Sequence, residues 1–270
     1  MTTAARDTSH EATARLALAC LDLTSLNDAD TPADIDKLCA RAQGLNPARG
    51  PTGAVCVWPR FVAQARSLLP PHIAVAAVAN FPDGSSDTAR AVADTLAIVA
   101  AGGDEVDVVF PYRDFSAAAG LLSAVRRACP GLKLKVILET GELEGLPQGW
   151  ALIAQASRIA LDAGADFLKT STGKVPVSAT PDAARVLLEA IAADPLNRHR
   201  VGFKPSGGIR TVADAAVYIG LTRELLGDAA LTPARFRIGA SGLLNDIEAV
   251  LTGAAAAAAA AAAPGPPAAY

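Results

Sequence analysis

Short runs of apolar residues alternate along this chain with longer alanine- and leucine-rich stretches of helical period. The runs fall at 20–23, 54–58, 73–79, 105–110, 132–138, 166–170, 201–204 and 236–239, which predicts eight strands. Most continue without strict apolar/polar alternation, as expected of parallel strands covered on both faces. Helix punctuation fills the intervals. Thr31-Pro32 and Thr180-Pro181 read as an N-cap followed by proline at the first helical position. Ser86 and Thr211 read as further N-caps, and Gly102, Gly164 and Gly227 as glycines that end helices. An imperfect repeat, Ala101-Gly102-Gly103-Asp104 and Ala163-Gly164-Ala165-Asp166, twice ends a helix and leads into a strand, two strand–helix units apart.

Eight strands with intervening helices in about 250 residues is the size of a (β/α)8 TIM barrel. An open doubly wound sheet is the alternative, but the first strand is not followed by the Gly-x-Gly-x-x-Gly turn that would favour it. The expected layout is one barrel domain over residues 1–252 with an extra N-terminal helix. A flexible alanine- and proline-rich tail, 253–270, follows and ends in Tyr270.

Composition removes several functional classes. Hydrophobic residues make up 51% of the chain, but much of that share is alanine, and no stretch supplies the roughly 20 apolar residues of a membrane span. A net charge of −3 without a basic cluster argues against nucleic acid as a partner. Cys20, Cys39, Cys56 and Cys129 form no Cys-x-x-Cys pair, and His10, His72 and His199 show no ligand spacing, so no metal site is expected. Isolated thiols fit a reducing cytoplasm, and Arg6, Asp7, Glu11 and Arg15 are unlike a secretory leader.

The distribution of lysine sharpens the picture. Of 24 basic residues only Lys37, Lys133, Lys135, Lys169, Lys174 and Lys204 are lysines; the rest are arginines. Arginine stays charged, whereas a lysine amine can lose its proton and attack a carbonyl. Lys169 and Lys204 lie in apolar, strand-like segments, where a lysine is costly to bury. If these segments are strands six and seven, both amines face one pocket at the barrel mouth. An ordinary lysine, with a pKa of about 10.4, is neutral in only about one molecule in 2,500 at pH 7. Burial and a second nearby cation lower that pKa; a shift of about three units corresponds to roughly 4 kcal/mol. For Lys133 and Lys135 a salt bridge or snorkelling at the rim is the better reading.

Asp107 and Asp22 also sit inside apolar strands and need a cation or hydrogen-bond donors. They fit either a structural pairing with barrel lysines or a proton relay beside an imine. Glycine-rich turns at Thr172-Gly173-Lys174, Pro205-Ser206-Gly207-Gly208 and Gly239-Ala240-Ser241-Gly242 follow the last three strands, where such barrels bind phosphate through backbone N–H groups.

Together these residues resemble the deoxyribose-phosphate aldolase family of class I, Schiff-base aldolases. The likeness runs from about residue 18 to about residue 244. It is carried by Leu21-Asp22-Leu23-Thr24-Ser25-Leu26-Asn27-Asp28, Ala54-Val55-Cys56-Val57, Asn80-Phe81-Pro82, Glu105-Val106-Asp107-Val108-Val109-Phe110-Pro111-Tyr112, Lys135-Val136-Ile137-Leu138-Glu139-Thr140-Gly141 and the segments around Lys169 and Lys204. The resemblance implies reversible cleavage of 2-deoxy-D-ribose 5-phosphate to acetaldehyde and D-glyceraldehyde 3-phosphate, in deoxynucleoside catabolism, with no metal or other cofactor. It assigns the Schiff base to Lys169 and proton movement to Lys204 and Asp107, with Tyr270 assisting from the tail. Asp22 and Thr24 are expected to line the pocket near the reacting hydroxyls. Thr172, Gly173, Lys174, Gly207, Gly208, Gly239 and Ser241 are expected to hold the phosphate end. Cys56 matches a family cysteine near the site. Many relatives carry a second serine where this chain has Gly242, and a homodimer is a candidate assembly. A Schiff-base aldolase for another phosphorylated sugar, and a sugar-phosphate-binding barrel without turnover, remain as alternatives.

Overall fold

A computed structural model describes residues 3–44 and 50–253. The tail and Tyr270 lie outside the described residues. Eight parallel strands form the centre: β1 (Leu21–Thr24), β2 (Ala54–Val57), β3 (Ala74–Ala79), β4 (Glu105–Val109), β5 (Lys133–Ile137), β6 (Phe167–Lys169), β7 (Gly202–Lys204) and β8 (Ile238–Ala240). From β1 to β7 each pairs with the next in sequence, and β8 pairs with β1. Isolated parallel bridges, Phe203 to Phe236 and Ser206 to Gly239, join β7 to the β8 segment and bring the sheet round into a TIM barrel. The predicted eight strands are all present.

The helices are α1 (Thr3–Ala19), α2 (Pro32–Ala42), α3 (Val62–Leu68), α4 (Thr88–Ala100), α5 (Phe115–Ala128), α6 (Thr140–Glu144), α7 (Gly149–Asp162), α8 (Pro181–Ala193), α9 (Val212–Leu226) and α10 (Leu243–Leu251). The extra helix α1 packs against α9 and α10. Neighbouring helices of the outer ring cover the strands, whose Val, Leu, Ile and Ala side chains are almost all buried. This double cover explains the nearly unbroken apolar runs.

Most of the punctuation acts as expected. Thr31, Thr180 and Thr211 are N-caps, the last two accepting from Ala183 N–H at 3.2 Å and Asp214 N–H at 3.1 Å. Ser86 is not a cap: α4 starts one residue later, and the Asp87 carboxylate accepts from Arg90 N–H at 3.0 Å. The β8 segment also differs in extent. Phe203 N–H of β7 donates to Arg235 O, and Arg237 N–H donates back to Phe203 O. Ile238 N–H then bonds to Cys20 O beside β1, and Gly239 N–H returns to Pro205 O, so alternate residues tie the segment to both neighbours and close the barrel.

The internal repeat has a mechanical role. Asp104 and Asp166 each enter a strand and turn a carboxylate back onto its predecessor, accepting from Val75 N–H at 2.8 Å and Leu134 N–H at 2.9 Å. Arg66 and Arg126 complete the two pairs at 2.8 and 2.9 Å. These contacts set the register of the strands that carry the charged interior.

Candidate active site

Asp107 stands on β4 directly opposite Lys135 on β5, and Lys169 pairs in register with Lys204 across β6 and β7. All four side chains are buried. Asp107 Oδ2 accepts from Lys169 Nζ and from Lys204 Nζ, each at 2.8 Å, while Oδ1 accepts from Lys135 Nζ at 2.6 Å. Lys204 also bonds Asp22 Oδ2, and Arg237 takes Asp22 Oδ1 at 2.6 Å. Glu105 closes the cluster, bound to Arg237 at 2.7 Å and to Lys135 at 2.5 Å. The seven side chains form one buried ion network of four basic and three acidic groups.

Such a network survives in a low-dielectric interior only because almost every charge has a partner. One positive charge is in excess, and Lys169 is where it is least favourable. Burial lowers the Lys169 pKa; the pull of Asp107 in the other direction is opposed by the ammonium of Lys204, and the result lies below the ordinary lysine value. Lys204 goes the other way. Burial disfavours its charge, but Asp107 and Asp22 outweigh it and hold the amine firmly protonated. Burial would likewise raise Asp107, yet Lys135, Lys169 and Lys204 hold it well below the usual carboxylate range. Paired groups whose titrations are driven apart suit one neutral nucleophile beside one fixed cation.

Above this cluster a cavity of about 470 Å³ opens at the strand ends. Thr24, Thr172, Gly173, Lys174, Gly207, Gly208, Gly239 and Ser241 line it, together with Ser25, Leu26, Asn27, Ser206, Ile209, Arg210, Ala240 and Gly242. Three glycine-rich turns thus converge on one space. Gly207 has a φ of +84°, and a Cβ there would stand 2.5 Å from Ser178 Oγ and 3.2 Å from Gly173 Cα, so no other residue fits the turn unstrained. Gly242 is the N-cap of α10 and provides no side-chain cap, leaving the first helical N–H groups available to an anion.

The structure sorts the expected residues into two groups. Lys169, Lys204 and Asp107 touch one another. The eight residues expected near the hydroxyls and phosphate, Asp22 excepted, line the cavity. Asp22 does not: it is fully buried, with both oxygens taken by Lys204 and Arg237. The Thr172 hydroxyl faces away from an incoming anion, donating to Glu139 Oε2 at 2.5 Å. Cys56 is buried near the network, where burial raises its thiol pKa and Asp107 adds to the rise. Lys135 forms the salt bridges expected of it, but to Asp107 itself.

Glu105, Arg237, Arg210, Ser206 and Glu139 were not anticipated. The rule that singles out Asp107, a charge inside an apolar strand, applies equally to Glu105 and to Arg237 in Phe236-Arg237-Ile238. Arg210 carries no comparable signal, and Ser206 lies in the 205–208 turn, where the glycines alone point to an anion site. Among the described residues no group of three or more His, Cys, Asp or Glu side chains could hold a metal ion. No helix among them is long and apolar enough to cross a membrane.

The comparisons with known proteins agree with this geometry. The sequence matches the DeoC/LacD family aldolase pattern over residues 16–258. It is 48% identical over 248 residues to a deoxyribose-phosphate aldolase of Agrobacterium fabrum, covering 89% of this chain and 92% of that one. Its fold matches a protein of Toxoplasma gondii ME49 assigned as a deoxyribose-phosphate aldolase, with a TM-score of 0.78 and 24% identity over 92% of this chain and 97% of that one. It also matches QR15, an aldolase, with a TM-score of 0.72 and 26% identity over 89% of this chain and 98% of that one. With a family match across most of its length and a relative this similar, the chain belongs to the DeoC/LacD family of aldolases.

Proposed function

We propose that this protein cleaves 2-deoxy-D-ribose 5-phosphate reversibly into acetaldehyde and D-glyceraldehyde 3-phosphate, with Lys169 as the Schiff-base residue. One observation carries the reading. In a chain 48% identical to a deoxyribose-phosphate aldolase, a lysine of lowered pKa and a lysine held protonated share one carboxylate oxygen at 2.8 Å.

The neutral Lys169 amine attacks C1 of the open-chain sugar and gives a carbinolamine, which loses water to leave a protonated imine. A base removes the proton of the C3 hydroxyl, and the C2–C3 electron pair moves into the imine as the bond breaks. D-Glyceraldehyde 3-phosphate departs, leaving an enamine. Protonation at C2 and hydrolysis of the imine release acetaldehyde and restore the amine. Lys204 is the fixed acid beside Lys169, and Asp107 passes protons between them. Held by the ammonium groups of Lys135 and Lys204 and by the Lys169 nitrogen, Asp107 is a weak base. Imine formation strips donors from the Lys169 nitrogen, which returns basicity to Oδ2 when a proton must be moved.

The cavity receives the phosphate end, through the turn amides, Lys174 and the α10 N-terminus, and so orients C1 toward Lys169. The chemistry needs no metal or organic cofactor. Free thiols at all four cysteines support a reducing compartment such as the cytoplasm.

Two measurements test the assignment. Cleavage of deoxyribose 5-phosphate should persist in EDTA, and borohydride with substrate should add mass to the peptide containing Lys169. Labelling at Lys204 instead would overturn the residue assignment, and binding without cleavage would overturn the activity.

A further inference from the structure

Glu139 is a buried carboxylate that the reaction above does not use. It follows β5 with a φ of +52°, a conformation that non-glycine residues seldom adopt. It stands at the N-cap position of α6 yet makes no capping bond to that helix. Its carboxylate instead reaches across to the turn after β6. Oε1 accepts from Thr172 N–H at 3.2 Å, and Oε2 accepts from the Thr172 hydroxyl at 2.5 Å. With its hydrogen committed to Glu139, the Thr172 oxygen accepts from Lys174 N–H at 3.0 Å. Lys174 then extends along the cavity wall and donates from Nζ to Leu26 O at 2.7 Å.

Glu139 itself does not line the cavity; Thr172, Gly173 and Lys174 do. A carboxylate beside a phosphate site would repel its ligand, so its use here calls for a reason. A carboxylate can accept from an N–H and an O–H together and donates nothing, which suits it to pin both donors of one threonine. Two further contacts tie the same segments together. Thr180 Oγ1 donates to Glu144 Oε2 at 3.3 Å, and Gly141 lies so close to Val177 O that a side chain there has no space.

We propose that Glu139 is a positioning residue for the phosphate end of the substrate: through Thr172 it holds the 172–174 turn in the shape that brings Gly173 and Lys174 to the cavity wall. This rests on the reading that the cavity takes the phosphate. The left-handed backbone at Glu139 then has a purpose, because it directs the carboxylate away from its own helix and toward the neighbouring turn.

Inorganic phosphate is the probe. It should inhibit the wild-type enzyme competitively, and Glu139→Gln should raise its inhibition constant about tenfold, since the two Thr172 donors are held by separate carboxylate oxygens and the amide replaces one of these with an NH2 that cannot accept. Thr172→Val, of nearly the same volume, should act similarly, and the double variant should be little worse than either single one because both break the same link. Thr172→Ser, which keeps the hydroxyl, should restore most of the phosphate affinity. Selectivity for deoxyribose 5-phosphate over unphosphorylated 2-deoxyribose should fall in parallel, through KM and not kcat. A wild-type inhibition constant in Glu139→Gln, or equal losses on both substrates, would overturn the proposal. A wild-type enzyme indifferent to phosphate would remove the phosphate reading and this proposal with it, a failure distinct from the first.

Discussion

Lys169 and Lys204 face each other in register at the ends of adjacent strands, and their Nζ atoms donate to the same oxygen, Asp107 Oδ2, each at 2.8 Å. Burial disfavours the charge on both amines, but Lys204 has a second carboxylate in Asp22 whereas Lys169 has only Asp107, so Lys169 is the one whose pKa falls.

Replacing the fixed cation should therefore stop the chemistry. Lys204→Leu is expected to lower kcat by a factor on the order of 10²–10⁴, the range for a lost acid–base group. It also leaves Asp22 with one cation fewer, and loss of a buried partner costs roughly 3–5 kcal/mol of stability. Steady-state rates and urea unfolding check both; a fully active variant would refute the coupling.

The pH dependence of imine trapping reports on the same pair. Capture requires neutral Lys169, so the trapping rate should rise with pH through a midpoint below 10.5, the ordinary lysine value. Lys204→Leu removes a charge that lowers that midpoint, so the midpoint should move to higher pH. A midpoint that moves down, or stays, contradicts the electrostatic account.

Acid should weaken the fold through the two central aspartates. The native state holds Asp22 and Asp107 below the usual carboxylate range, against the burial that would raise them. Their stabilisation is complete above the unfolded-state pKa of about 3.9 and is lost as pH falls below it. Asp22→Asn should thus be less stable than the wild type at pH 7, with the gap narrowing below about pH 4 in urea titrations.

Gly242 allows a gain instead of a loss. Its φ is −94°, and a Cβ there meets nothing within 4 Å, so a side chain fits without strain. Gly242→Ser should add a hydroxyl donor at the mouth of the cavity and lower the inhibition constant for inorganic phosphate several-fold. The opposite substitution pattern applies at Gly207, where Gly207→Ala should raise KM for the phosphorylated sugar and cost about 1–3 kcal/mol of stability. Inhibition kinetics and thermal melts distinguish the two glycines.

The barrel was legible because its determinants are local: unbroken apolar runs, threonine caps and glycines at helix ends. Lys169, Lys204 and Asp107 stood out for a related reason, a charge where the pattern demands an apolar side chain. Ser86 was misread as a cap because one residue decides which side chain reaches the first turn, and Asp87 is the stronger acceptor. Partnership across the barrel was not legible. That Lys135 contacts Asp107, that Asp22 is consumed by Lys204 and Arg237, and that Glu139 reaches Thr172 all depend on strand register, which no local pattern specifies.

The surplus charge of the central cluster has a bearing on the course of the reaction. Four basic groups against three carboxylates come into balance only when the nitrogen of Lys169 is uncharged. On the proposed route the imine cation keeps the imbalance, whereas the enamine formed as the carbon–carbon bond breaks abolishes it when the C3-hydroxyl proton leaves the network instead of resting on Asp107. The fixed ions of the barrel therefore favour the state just past cleavage, and they do so without any part having to move.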